Sequence, residues 1–180
     1  MVIIPGRQIV TAERLEVLAL GCSREFPDGQ PIRKVLDAVA DSNATAVIPW
    51  GFGKWWGPRG RTLLDILLSN FAPPFFLGDN GGRLGLGRGP ALFAEAEARG
   101  VFVLPGSDPL PFPSEAQRLG SYGFVLPAWE ESSRPVDALR ASLRRLSASP
   151  RVFGNLTPVL RFCRMQLAMQ WRKQVWRRGT

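Results

Sequence analysis

Two carboxylates in this chain follow short apolar runs: Asp79 in "PFFLGDNGGR" and Asp108 in "VLPGSDPLPF". A carboxylate at the end of a buried strand can accept a proton, donate one or help to hold a cation. Asp79 and Asp108 are therefore the candidate catalytic residues, as an acid–base pair or a weak divalent-metal site at the mouth of one sheet. A structural role competes with this. Ser107-Asp108-Pro109 is a good turn sequence, and Asp79 and Asn80 can bond their own backbone. Glu115 is nearby in sequence, but nothing fixes it in the site. The loop "PWGFGKWWGPRGR" carries Trp50, Lys54, Arg59 and Arg61, and "GDNGGRLGLGRG" adds Asn80, Arg83 and Arg88. Lys and Arg complement phosphate or carboxylate, glycine lets backbone approach a ligand, and aromatic faces can stack on a base or sugar. The alternative is a rigid aromatic loop with its cations in solvent. The GxxxxGK[ST] spacing of a phosphate loop is absent, and "GLGRGP" does not complete GxGxxG. The chain contains no histidine.

The elements that would position these groups follow from apolar patterning. Short runs rich in Val, Ile, Leu and Phe and closed by Gly or Pro predict strands at 2–6, 15–21, 44–50, 74–79, 100–106 and 121–127. The run at 15–21 alternates enough for an edge or hairpin strand. Helical spacing predicts helices at 31–43, 60–70, 89–100 and 132–147. Ile32, Val35, Leu36 and Val39 share a face in the first. Val136, Leu139, Leu143 and Leu146 form a stripe in the last, with Ser133 as a cap. Strands alternating with helices predict an α/β fold with a mainly parallel sheet. The polar loops follow the strands, so they should gather on the face at the strands' C-terminal ends.

Length and composition suit one globular unit: 180 residues, 45% hydrophobic, 19 glycines and 16 prolines. No apolar run reaches the roughly 20 residues needed to span a bilayer, and the start "MVIIPGRQIV" does not read as a signal peptide. Cys22 and Cys163 form neither a metal-type spacing nor a disulfide framework, so a reducing cytoplasm is expected. The net charge of +8 is unevenly placed. Residues 151–180 hold seven Arg or Lys and no acid, whereas the first 150 residues balance to +1. This divides the chain into a 1–150 α/β domain and a 151–180 basic helix. In that helix Leu160, Cys163, Leu167, Trp171 and Val175 make a stripe, expected to pack on the domain over 157–169. Residues 170–180 are expected to form a tail that binds nucleic acid or an anionic membrane.

Several segments, in order, resemble the polymerase-and-histidinol-phosphatase (PHP) domain family of metal-dependent phosphoesterases. "IIPGRQI" (3–9) is similar to its Pro-Gly-x-Glu-Ile segment, and "LEVLALG" to the strand that follows. "AVIPW" (46–50) resembles the strand ending in Pro-His, and "FFLGDNGGR" (75–83) one ending in a Glu-x-x-Asn type sequence. "AEARGVFVLPGSDPL" (96–110) resembles the Gly-Ser-Asp-Ala-His end of the domain, and "RPVDALRASL" (134–143) its late helix. The resemblance implies a partial or distorted seven-stranded TIM-like β/α barrel with the basic helix added. It also implies lost metal ligands. Gln8 stands at the usual glutamate, Trp50 and Leu110 replace histidines, and only Asp108 matches a ligand, as a remnant. Neutral amide, indole and alkyl groups cannot assemble a metal cluster. The family's opening strand would precede Met1, which leaves a strand edge for a homodimer or a partner to complete. The expected function is a non-catalytic PHP-like protein that binds an anionic small molecule or a protein partner at the old active-site face, with no cofactor beyond a weakly held divalent metal. The alternatives are a phosphoesterase with an altered site, and nucleic-acid or membrane binding through the basic helix.

Overall fold

A computed structural model describes residues 2–69, 74–85, 89–110, 112–126 and 134–178, with side chains described as far as Trp171 in the last helix. Ser133, Arg88 and the Val175 side chain fall outside it. The order is β1 (Gly6–Val10), β2 (Glu16–Leu20), α1 (Ile32–Asp41), β3 (Thr45–Pro49), α2 (Pro58–Leu68), β4 (Phe75–Asn80), α3 (Ala91–Glu97), β5 (Val103–Gly106), a 3-10 turn (Pro113–Arg118), β6 (Tyr122–Val125), α4 (Pro135–Arg144), β7 (Arg151–Gly154) and α5 (Val159–Arg178).

The expected barrel is not formed. Strands β1 to β5 make one open mixed sheet in sequence order, and β6 and β7 make a separate antiparallel pair. The sheet is also less parallel than expected. β1 pairs antiparallel with β2, and β2 with β3; only β3–β4 and β4–β5 are parallel. Five residues join β1 to β2, enough for a hairpin but too few for the crossover a parallel pair requires. α2 and α3 supply the crossovers for the parallel pairs. The first strand runs Gly6–Val10 rather than 2–6, because the pairing register runs Gly6↔Leu20 to Val10↔Glu16. β7 escaped the sequence reading: its four residues are all exposed, so it carries no buried apolar signature. It pairs with β6, which joins residues on either side of position 150.

Two cores flank the sheet. On one face eighteen buried residues pack together, including Val17, Leu36, Val39, Ile48, Leu63 and Leu77, drawn from the sheet, α1, α2 and α3. The predicted α1 face of Ile32, Val35, Leu36 and Val39 is buried there. On the other face Val47, Leu104 and Leu143 are buried, with Leu18, Leu20, Phe76, Phe124, Leu139 and Leu146 around them. α4 thus covers the second face of the sheet. Among the described residues no helix is long and apolar enough to cross a membrane.

Candidate functional site

The loops after the parallel strands β3, β4 and β5 do gather at the strands' C-terminal ends, where open α/β sheets place ligands. Two pairs of polar side chains lie there, each side chain from a different segment. The Asn80 amide at the end of β4 donates to the Asp108 carboxylate beyond β5, and its own oxygen accepts from the Gly82 N–H at 2.6 Å. Lys54, from the loop after β3, pairs with Glu16 at the start of β2 at 2.5 Å. Lys54 and Glu16 also act on Asp108 through space. Asp108 is exposed on one side, yet the protein around it raises its carboxyl above the ordinary range. Removal from water is the larger cause; Lys54 opposes the rise and Glu16 adds to it. Asp108 has φ +34°, outside the usual range for a residue with a side chain. A strained position held by its surroundings is a common mark of a functional site.

Glu16 was not among the residues singled out in the sequence. In β2 it reads as the polar member of an alternating strand, and only the antiparallel register of β2 on β3 brings it beside the loop that carries Lys54.

The other candidates are placed elsewhere. Successive strand residues face opposite sides, so Asp79 points away from Asn80 and Asp108. It is buried and accepts from Arg83 Nε at 2.7 Å, Arg83 Nη2 at 3.0 Å and the Tyr122 hydroxyl at 2.7 Å. The Asp79 carboxylate holds the Arg83 guanidinium charged, raising its pKa against the opposing effect of burial. The Tyr122 hydroxyl is pushed far above its usual range by burial and by Asp79. These three groups satisfy one another, and Asp79 is no partner for Asp108. A cleft of about 590 Å³ opens beside them, lined by Asp79, Arg83, Phe93, Val103, Pro105 and Ser149. It lies behind the sheet from Asp108; Asp79 and Arg83 in it are paired with each other, and Glu97 accepts from the Ser149 hydroxyl.

Trp50 packs against the first core. Arg59 Nη2 donates to the Gly53 carbonyl at 2.8 Å and braces its own loop. Arg61 is exposed on α2, Gln8 is exposed on β1, and Leu110 is half-buried. Glu115 is buried and faces α5, 2.6 Å from Arg161 and 3.7 Å from Arg118.

The metal centre that the resemblance would imply does not fit this donor set. Glu16 is committed to Lys54, the Asn80 oxygen to Gly82, and Asp108 is left with an amide beside it. Among the described residues no three His, Cys, Asp or Glu side chains converge on one point. No protein-family model matches this chain, and no curated protein matches it significantly. The PHP likeness therefore rests on the quoted motifs alone.

Proposed function

We propose that this chain is a PHP-like binding protein without hydrolytic activity, and that it holds a small anionic ligand at the Glu16–Lys54–Asn80–Asp108 cluster. The observation that carries this reading is that the Lys54–Glu16 and Asn80–Asp108 pairs both lie at the mouth of the parallel strands, near enough for Lys54 and Glu16 to act on the Asp108 carboxyl through space. The resemblance points to the same place, since Asp108 stands where that family has a metal ligand. The chemistry suits an oxyanion. Lys54 swings from Glu16 to the ligand, the Asn80 amide donates, and Asp108, protonated more readily than an ordinary carboxyl, donates in place of repelling. Hydrolysis finds no support, because the second carboxylate, Asp79, is locked by Arg83 and Tyr122 on the other side of the sheet.

Sulfate, whose charge is constant across the working range, tests this by calorimetry between pH 4 and pH 8. Because Asp108 donates only when protonated, affinity should be highest at the acid end and fall as pH rises through the raised Asp108 range. Asp108→Asn should remove that fall. Lys54→Met should weaken binding by about tenfold or more, the loss of one charge-assisted hydrogen bond. Sulfate affinity that ignores both substitutions would exclude this cluster as the site. Turnover of phosphate esters that disappears in Asp108→Asn would replace binding with catalysis.

A further inference from the structure

α5 is apolar on two sides. Phe162, Met165 and Met169 turn toward the body. Met165 is 8% exposed, and the Phe162 ring meets Phe52 at 5.3 Å. The stripe that the sequence assigns to packing faces the other way. Leu160, Leu167 and Trp171 are 83%, 72% and 69% exposed, and Cys163 is exposed between them. Steps of seven and four residues keep the three on one helix face, with Arg164 set between Leu160 and Leu167 on the same face, so an apolar strip carrying one cation stands in water. A strip of this kind marks a surface with a partner.

Charge decides which partner. Residues 151–180 carry seven Arg or Lys and no acid. Arg164 is exposed on the face of the strip, and Arg161 flanks it, held on one side by Glu115. A second copy of the helix would bring only like charge to the same strip. A nucleic acid would engage the cations and stack a base on Trp171, but would leave Leu160 and Leu167 in water. An anionic bilayer surface satisfies both demands. Leucines enter the acyl boundary, tryptophan sits at the interface, and arginines reach the phosphates. Beside the strip, a groove of about 870 Å³ sets Arg164 next to Phe112, Leu160 and Ala168, with Arg161 in its wall held by Glu115. That combination offers a cation to a headgroup and an apolar wall to its chain.

We propose that α5 is a membrane-surface helix that lays its Leu160–Leu167–Trp171 face on anionic lipid bilayers, with Arg164 on the headgroup phosphates. This surface is the outer face of α5; the inner face packs beside the sheet mouth, with Phe162 on Phe52 and Met165 near Gly82.

Co-sedimentation of the full chain with vesicles tests it, comparing phosphatidylcholine alone with phosphatidylcholine containing phosphatidylglycerol. Binding should be at least about tenfold stronger to the anionic vesicles and weaken with salt. Leu167→Gln with Trp171→Gln should reduce it by about tenfold or more at unchanged melting temperature, since both side chains are exposed. Arg164→Gln should weaken it further. Equal binding to neutral vesicles would overturn the proposal. So would vesicle binding that survives the double substitution, which would leave charge attraction alone. Tighter binding to a single-stranded oligonucleotide, or a dimer that the double substitution dissociates, would assign the face to nucleic acid or to a second copy.

Discussion

Asp79 illustrates how one residue's chemistry depends on its neighbours. In sequence it sits beside Asn80 and looks like half of a carboxylate pair. In the fold it is the acceptor for two side chains, the largely buried Arg83 from the following loop and the buried Tyr122 from β6. Its role is to tie the β4 end to the β6–β7 pair. Asp79→Ala should therefore cost about 3–5 kcal/mol, because it strands a buried guanidinium. Tyr122→Phe should cost only about 1 kcal/mol, because Arg83 keeps its partner. Chemical denaturation of the two variants measures both, and comparable losses would mean that Arg83 finds another acceptor. Asp108 is the opposite case: exposed, strained, and near charges of both signs, it contributes little packing and has chemistry to offer.

At the scale of elements, β1 is the open edge of the sheet. Gly21 N–H to the Pro5 carbonyl and Thr11 N–H to the Leu15 carbonyl, both 2.8–2.9 Å, bracket the hairpin. With the Gly6↔Leu20 register, they direct the backbone groups of Arg7 and Ile9 toward β2 and those of Gly6, Gln8 and Val10 outward. Val10 is covered: its N–H donates to Asp28 at 2.8 Å, and its carbonyl accepts from the Gly29 N–H. Gln8 is exposed on that edge. Proline should therefore be tolerated at position 8, whereas Ile9→Pro should cost about 3 kcal/mol or more through a lost ladder bond and a displaced core side chain. Thermal melts of the two variants distinguish the faces, and equal loss would reverse the assignment. Helix α1 shows a different dependence on neighbours. It begins after Pro31 with no capping side chain of its own, and Glu13 from the β1–β2 turn accepts the Ile32 N–H at 3.0 Å instead.

The whole molecule is unevenly consolidated. One face of the sheet carries a core drawn from three helices, and the other is closed mainly by α4 and β6. Local opening should follow that difference. Leu143→Ala should speed hydrogen exchange in α4 while exchange in α1 and β3 stays slow. Leu36→Ala, in the larger core, should destabilise the whole sheet by about 3 kcal/mol. Uniform acceleration in Leu143→Ala would show that the two faces unfold as one. Charge is uneven in the same way. The body is near neutral and the last thirty residues are basic, so the membrane and anion proposals concern separate ends of the chain's chemistry.

Much was legible in the sequence because it depends on local order. Apolar runs closed by Gly or Pro marked β2, β3, β4, β5 and β6 within a few residues, and helical spacing marked all five helices. The α1 core face was legible because a 3.6-residue period states which side must be dry. The clustering of loops after β3, β4 and β5 followed from parallel pairing alone. What the sequence left open is what distant partners supply. Whether the strands close or stay open depends on pairing at the edges, which no single strand encodes, and resemblance pointed to a barrel that the sheet does not form. The site gained Glu16 and lost Asp79 because register and strand alternation decide which side chains share a face. α5 carries two apolar stripes, and periodicity cannot rank them. Contact with Phe52 and the body buries the Phe162–Met165 side and leaves Leu160, Leu167 and Trp171 in water.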